Sequence, residues 1–232
     1  MTHANPDDPL IVALDFESAA EAHELVHRLG PHASFYKVGL ELYAAAGMEF
    51  VRELIASGNR VFLDLKLYDI GETVKRAVAR VAHSGATFLT IHGSSAIMRA
   101  AVEGRGASPL KLLAITVLTS FDESDLRDLG YNCSVRELVS LRVRNALECG
   151  LDGIVASPLE AVTIRVQAGR DLLLVTPGVR SHGAASGDQK RVATPAEAIR
   201  DGADYLVIGR QVTRSEDPAA ALQAIRSEIA AR

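Results

Sequence analysis

FLDLKLYDIGET, residues 62–73, decides how the rest of this chain is read. It opens as an apolar strand and then presents Asp64, Lys66 and Asp69 in one short run. Side chains alternate faces along a strand, so Asp64 and Lys66 are expected on one face and Leu63, Leu65 and Leu67 on the other, against a hydrophobic layer. Burying a carboxylate beside an ammonium costs several kcal/mol per ion, of order, unless each finds partners. A strand that ends in such a pair is expected to use it.

Working outward, apolar β-rich segments alternate with amphipathic helical ones along the whole length. Strands are expected at Leu10–Leu14, 35–38, 61–65, 88–92, 112–117, 153–156, 172–176 and Tyr205–Ile208. Helices are expected at Ala19–Leu29, 48–56, 73–83, 95–102, Val135–Cys149, 159–168, 196–200 and Pro218–Ala230. Pro195 and Pro218 sit near helix starts, where a missing N–H costs little, and Gly58, Gly85, Gly150, Gly169 and Gly202 follow helices as left-handed caps. Strand–helix alternation implies a parallel sheet. About eight βα units in 232 residues fit a TIM (β/α)8 barrel, with a doubly wound open sheet as the alternative. The polar residues favour the barrel. Asp15, Lys37, Asp64, Lys66, His92, Thr119, Ser120, Ser157, Pro177 and Arg210 fall at or just past strand C-termini, and only a closed barrel gathers all those ends at one mouth. No shift in composition marks a second domain, so residues 1–232 read as one barrel preceded by a polar tail at 1–9.

Composition narrows the function classes. The chain is 48% hydrophobic, enough for a sizeable core, yet no apolar run reaches the roughly 18 residues of a membrane span. The tail MTHANPDDP lacks an apolar secretory core. Cys133 and Cys149 lack metal-type spacing and fit a reducing compartment, so a cytoplasmic enzyme is expected. A net charge of −4 and the absence of Trp argue against a nucleic-acid surface.

Asp15 ends the first strand, Lys37 the second, and Asp64 and Lys66 the third, with Asp69 in the loop beyond. Crowded carboxylates repel by roughly 4 kcal/mol at 4 Å and an effective dielectric of 20. Lys37 and Lys66 can neutralise the set, so no metal ion is required. Blander roles compete: Asp69 with Glu72 resembles a capping box, Asp15 could cap the first helix although Ser18 is the better candidate, Lys37 could be a solvated strand-end lysine, and His92 an inter-strand hydrogen-bonding residue. A second signal lies further on. Residues 174–191, LVTPGVRSHGAASGDQKR, turn at Pro177-Gly178 and run through a loop too long for an ordinary connection. The last strand ends in Gly209-Arg210. Loops after strands seven and eight are the usual phosphate site of such barrels. Gly209 admits a phosphate to the backbone, while Arg210 and Arg180 supply guanidinium forks.

The motifs VALDF, YKVG, FLDLKLYDIGET, AITVLTS, LVTPGVR, GDQ and DYLVIGR, in this order, resemble the bacterial orotidine 5′-monophosphate decarboxylase family over nearly the whole length. The resemblance implies that Lys66 is the proton donor, that Asp64 lies against the substrate carboxylate, and that Lys37 and Asp69 complete a charged array. It implies that Asp15 and Lys37 hold the ribose hydroxyls, that Thr119 and Ser120 lie by the pyrimidine, and that Pro177 belongs to the same site. Gln189, Arg180, Gly209 and Arg210 would hold the phosphate. Asp69, Ile70 and Thr73 would reach into the partner's site, making a homodimer functional. The ligands implied are orotidine 5′-monophosphate and uridine 5′-monophosphate (UMP), with no cofactor, no metal, no nucleic acid and no membrane. Many members carry Pro-Asn where this chain has Gly71-Glu72, a departure confined to a loop. Two other readings use the same features: a Mg²⁺-dependent sugar-phosphate decarboxylase or synthase of the wider superfamily, expected to carry an acid where Lys37 stands, and a non-catalytic nucleotide-binding barrel.

Overall fold

Eight parallel strands among the described residues close into a barrel in sequence order, β1 to β8. The computed structural model describes residues 8–181 and 192–231. The strands are β1 (Leu10–Leu14), β2 (Phe35–Gly39), β3 (Arg60–Leu67), β4 (Phe88–Ile91), β5 (Lys111–Ile115), β6 (Gly153–Val155), β7 (Leu173–Thr176) and β8 (Tyr205–Ile208). The ring is completed by the pairing of Leu10, Ile11 and Val12 with Leu206, Val207 and Ile208. The helices are α1 (Ala19–Leu29), α2 (Leu40–Ala56), α3 (Gly71–Ala82), α4 (Ser95–Arg105), α5 (Glu123–Asp128), α6 (Val135–Cys149), α7 (Ala161–Ala168), α8 (Pro195–Arg200), α9 (Arg210–Thr213) and α10 (Pro218–Ala230). The TIM barrel expected from strand–helix alternation is the fold observed.

Period-two alternation sorts each strand between two cores. Ile11, Ala13, Phe35, Phe62, Phe88, Leu113, Val175 and Val207 fill the barrel interior. Leu10, Val12, Leu14, Tyr36, Val38, Leu63 and Leu89 face the helix layer outside. Because both faces are buried, strands such as LIVAL read as continuous apolar runs. Interior side chains plug the barrel, so a ligand can be received only at its rim. The next inward positions toward the C-terminal end are Asp15, Lys37, Asp64 and Thr90, which places polar groups on top of an apolar floor.

The opposite end is locked by half-buried carboxylates. Asp152, just before β6, accepts the Leu112 N–H of β5 at 2.9 Å and pairs with Arg105 and Lys111. Asp204, just before β8, repeats the device, accepting Leu174 N–H of β7 at 2.7 Å and pairing with Arg165 and Arg170. Each carboxylate ties the start of one strand to its neighbour, so these charges serve the scaffold.

Most elements lie where the sequence places them, with instructive exceptions. α2 begins at Leu40 rather than residue 48, because LELYAAA is itself helical; Gly47, at φ 63°, breaks the helix in the middle. α5 is an additional helix, closed by a capping box in which Asp122 and Asp125 satisfy each other's backbone. Ser18, the better cap candidate in the sequence, does cap α1 by accepting Glu21 N–H. The Asp69–Glu72 capping box does not form: α3 starts after Ile70 without a side-chain cap, and Asp69 Oδ1 accepts the adjacent Ile70 N–H at 2.6 Å.

Candidate active site

β1, β2 and β3 bring four charged groups into one chain of contacts at the rim. Lys37 Nζ donates to Asp15 Oδ1 at 2.8 Å and lies 4.0 Å from Asp64 Oδ2. Lys66 Nζ lies 2.9 Å from the same Asp64 oxygen. Two carboxylates and two ammonium groups thus alternate, and the set is neutral. The side chains of Lys37 and Asp64 are only 10% and 16% exposed, so their attraction is weakly screened, whereas Asp15 at 58% faces solvent. The two central members, Lys37 and Asp64, lie deepest, and two cations share Asp64.

The third strand departs from simple alternation at this point. Lys66 adopts φ 48°, and no other non-glycine described residue has a positive φ. The pairing with β4 shifts between Leu63 and Leu67, a bulge. A non-glycine residue in the left-handed region costs about 1–3 kcal/mol and needs surrounding structure to hold it. Thr90 supplies that hold. Its buried hydroxyl accepts the Lys66 N–H at 2.9 Å and donates to Asp64 Oδ1 at 2.9 Å. One threonine therefore fixes both the backbone of Lys66 and the carboxylate that Lys66 meets. The bulge keeps Leu65 and Leu67 against the outer core while Lys66 remains beside Asp64, so the expected sidedness survives by a different geometry.

Gly39 makes room for the array. A Cβ at this position would come within 2.9 Å of Lys37 Nζ and 3.3 Å of Asp15 Oδ1. Neither Thr90 nor Gly39 stands out in the sequence. The available signals were the inward register of Thr90 with His92, and a glycine directly after the strand that carries Lys37. His92 packs edge-on against Tyr68, with ring centroids 5.5 Å apart. Burial first, then the cations of Arg142 and Lys66, push its imidazole below the ordinary 6.5.

These groups line a cleft of about 260 Å³. Asp15, Lys37, Asp64 and Lys66 form one wall; Ile115, Val117, Leu118, Thr119 and Ser120, from the end of β5, form a largely apolar wall. Pro177, Gly178, Arg180 and Gly209 close the end above β7 and β8. A second, polar cleft of about 510 Å³ adjoins it and is lined by Asp15, Arg180, Gly209 and Arg210, among others. Arg180 reaches both clefts. Gln189 lies outside the described residues, as does most of the long loop, 182–191. Asp69, Ile70 and Thr73 are exposed, with Ile70 at 76%, and none of them lines either cleft of their own barrel. Among the described residues, no cluster of three or more His, Cys, Asp or Glu could hold a metal ion, and no helix is long and apolar enough to cross a membrane.

A closed parallel barrel with alternating charges and a guanidinium-bearing end at its C-terminal rim has the layout of a barrel enzyme acting on a small phosphorylated molecule. The sequence profile of the Orotidine 5′-phosphate decarboxylase / HUMPS family matches residues 8–225, and the chain belongs to that family. It is 55% identical over 223 residues to the orotidine 5′-phosphate decarboxylase of Nitrobacter winogradskyi, covering 96% of this chain and 93% of that one. It is 54% identical over 222 residues to the enzyme of the same name from Rhodopseudomonas palustris strain BisA53, covering 96% and 94%. The crystal structure of orotidine 5′-phosphate decarboxylase from Lactobacillus acidophilus superimposes with a TM-score of 0.85 at 37% identity, covering 96% of this chain and 99% of that one.

Proposed function

We propose that this protein decarboxylates orotidine 5′-monophosphate to UMP, the last step of de novo pyrimidine synthesis, as a cytoplasmic homodimer that needs neither cofactor nor metal. The observation that carries the reading is the 2.9 Å contact of Lys66 with Asp64 in the charged wall of the cleft. Membership of the family supports the substrate.

The reaction breaks the bond between ring carbon C6 and the carboxylate. CO₂ departs and the electron pair stays on C6, in an sp² orbital that the ring cannot delocalise. Lys66 Nζ then gives C6 a proton, and the neutral amine recovers one from solvent. Overall, orotidine monophosphate and one proton become UMP and CO₂. Such a barrier calls for stabilisation near the top of the enzymatic range, about 23 kcal/mol. Fixed charge aimed at the developing carbanion is the strongest means available, because it needs no reorganisation during the reaction. An ammonium held by Asp64 and by a backbone bulge meets that requirement. Asp64 would lie against the substrate carboxylate, and its repulsion would ease as CO₂ leaves.

Asp15 and Lys37 would take the ribose hydroxyls. Ile115, Val117 and Leu118 offer a ring-sized apolar face, with Thr119 and Ser120 as polar partners for the pyrimidine edge. Arg180, Gly209, Arg210 and Gln189 would hold the phosphate, whose binding energy would be spent on orienting the distant reacting carbon. Asp69, Ile70 and Thr73 would complete the partner's site, in keeping with their exposure. Purified protein given orotidine monophosphate in excess EDTA should show loss of substrate absorbance with stoichiometric UMP. A chain that turns over only with added Mg²⁺, or binds UMP without turnover, would refute the reading.

A further inference from the structure

We propose that Arg142 is a positioning residue that fixes the apolar, base-facing wall of the cleft; this rests on the nucleotide reading above. Arg142 lies on the inner side of α6 beside the buried Leu138, Val139, Val143 and Ala146, and is itself only 8% exposed. Its Nη1 donates to the Thr116 carbonyl, and its Nη2 donates to the Tyr131 hydroxyl at 3.0 Å. The guanidinium carbon also lies 5.7 Å from the centre of the Tyr131 ring. Both partners are neutral, and among the described residues no carboxylate pairs with it.

A buried cation without a counter-ion is an expensive way to pack a helix, and an apolar side chain of similar length would serve as well or better. What arginine adds is a rigid fork with two separated donors. The fork spans a particular interval. Thr116 immediately follows β5 and immediately precedes Val117, Leu118, Thr119 and Ser120, all of which line the cleft. Tyr131 lies where the same excursion returns after α5, anchored by its N–H to the Leu126 carbonyl at 3.0 Å. Arg142 therefore grips both roots of the segment that forms the apolar wall. On the other side, Thr116 Oγ1 bonds the Val155 carbonyl at 2.9 Å, so the root is held between α6 and β6. Removing the fork should loosen the wall that meets the base, without disturbing the phosphate end above β7 and β8.

The test compares two ligands that share a ribose phosphate and differ in the base. Dissociation constants for UMP and for ribose 5-phosphate are measured by titration calorimetry on the wild-type chain, Arg142→Met, Arg142→Lys and Tyr131→Phe. Arg142→Met should weaken UMP about tenfold, the scale of a lost hydrogen bond to a charged group, and leave ribose 5-phosphate within about twofold. Arg142→Lys, which keeps one donor, should recover part of the UMP affinity. Tyr131→Phe should show a smaller loss of the same selectivity, and it carries the test if the Arg142 variants do not fold. Equal weakening of both ligands, or no change in their ratio, would overturn the proposal, as would a wild-type chain with no preference for UMP. Because binding is read directly, a wild type that binds UMP yet fails to turn over orotidine monophosphate would defeat the proposed activity and leave this inference to be judged on the ratio.

Discussion

Replacing Thr90 with Val removes one oxygen and almost no volume, which makes it a clean probe of how the array is held. The hydroxyl is fully buried and makes two contacts of 2.9 Å, one to the Asp64 carboxylate and one from the Lys66 N–H. A hydrogen bond to a charged group contributes about 1.5–3 kcal/mol, and a buried backbone N–H left without a partner costs about 1–3 kcal/mol. The bulge at Lys66 adds a strain of about 1–3 kcal/mol that the remaining structure must hold. Relaxation of the bulge would return part of this and move the ammonium. A displacement on the order of 1 Å can cost about a hundredfold in rate. Thr90→Val should therefore unfold about 2–4 kcal/mol more easily, with kcat/KM for orotidine monophosphate down roughly a hundredfold. Urea unfolding and the absorbance assay measure the two effects. Thr176→Val is the control: Thr176 Oγ1 is buried with no hydrogen-bond partner among the described residues, so its loss should be neutral or stabilising by about 1 kcal/mol. If Thr90→Val keeps kcat/KM within about twofold of wild type, the claim that Thr90 holds Lys66 and Asp64 is wrong.

Gly39→Ala should raise KM roughly tenfold with little change in unfolding free energy, because the new Cβ displaces Lys37 from Asp15 while the backbone φ of −93° suits any residue; an unchanged KM would contradict this. His92 is held below its ordinary 6.5 in the folded chain, so between that lowered value and 6.5 the unfolded chain binds more protons. Stability should then fall as pH drops through 6.5, and levels off at the folded value; His92→Gln should flatten this slope in urea midpoints measured across the window, and parallel slopes would count against it. Mixing the inactive variants Lys66→Ala and Asp69→Ala should restore some activity, since one site of each mixed dimer has both groups. Verified mixed dimers without activity would rule out a shared site.

The fold was legible because strand and helix periods alternate so regularly that β1, β8, α1, α6 and α10 fall at the residues expected from the sequence. Closure into a barrel followed from the polar strand ends, since Asp15, Lys37, Asp64 and Lys66 make sense together only at one rim. What stayed hidden depends on neighbours distant in sequence. Thr90 is an ordinary strand threonine until β3 bulges against it, and Gly39 is an ordinary strand-end glycine until Lys37 and Asp15 meet above it. The bulge itself could not be read, because alternation predicts the same sidedness for Asp64 and Lys66 without it. Asp152 and Asp204 are not legible in the sequence, as lone acids before a strand carry no local sign that they accept a neighbouring strand's N–H. α5 is not legible although Asp122 and Asp125 stand at capping-box spacing, because its six residues are too few to show a helical period.

The turnover of Lys66→Ala, measured beside its affinity for UMP, tests the assignment of the proton donor most directly. Loss of both the charge and the proton source should lower kcat by at least about 10⁴-fold while UMP still binds within about tenfold of wild type. A variant that decarboxylates orotidine monophosphate within tenfold of the wild-type rate would contradict the account.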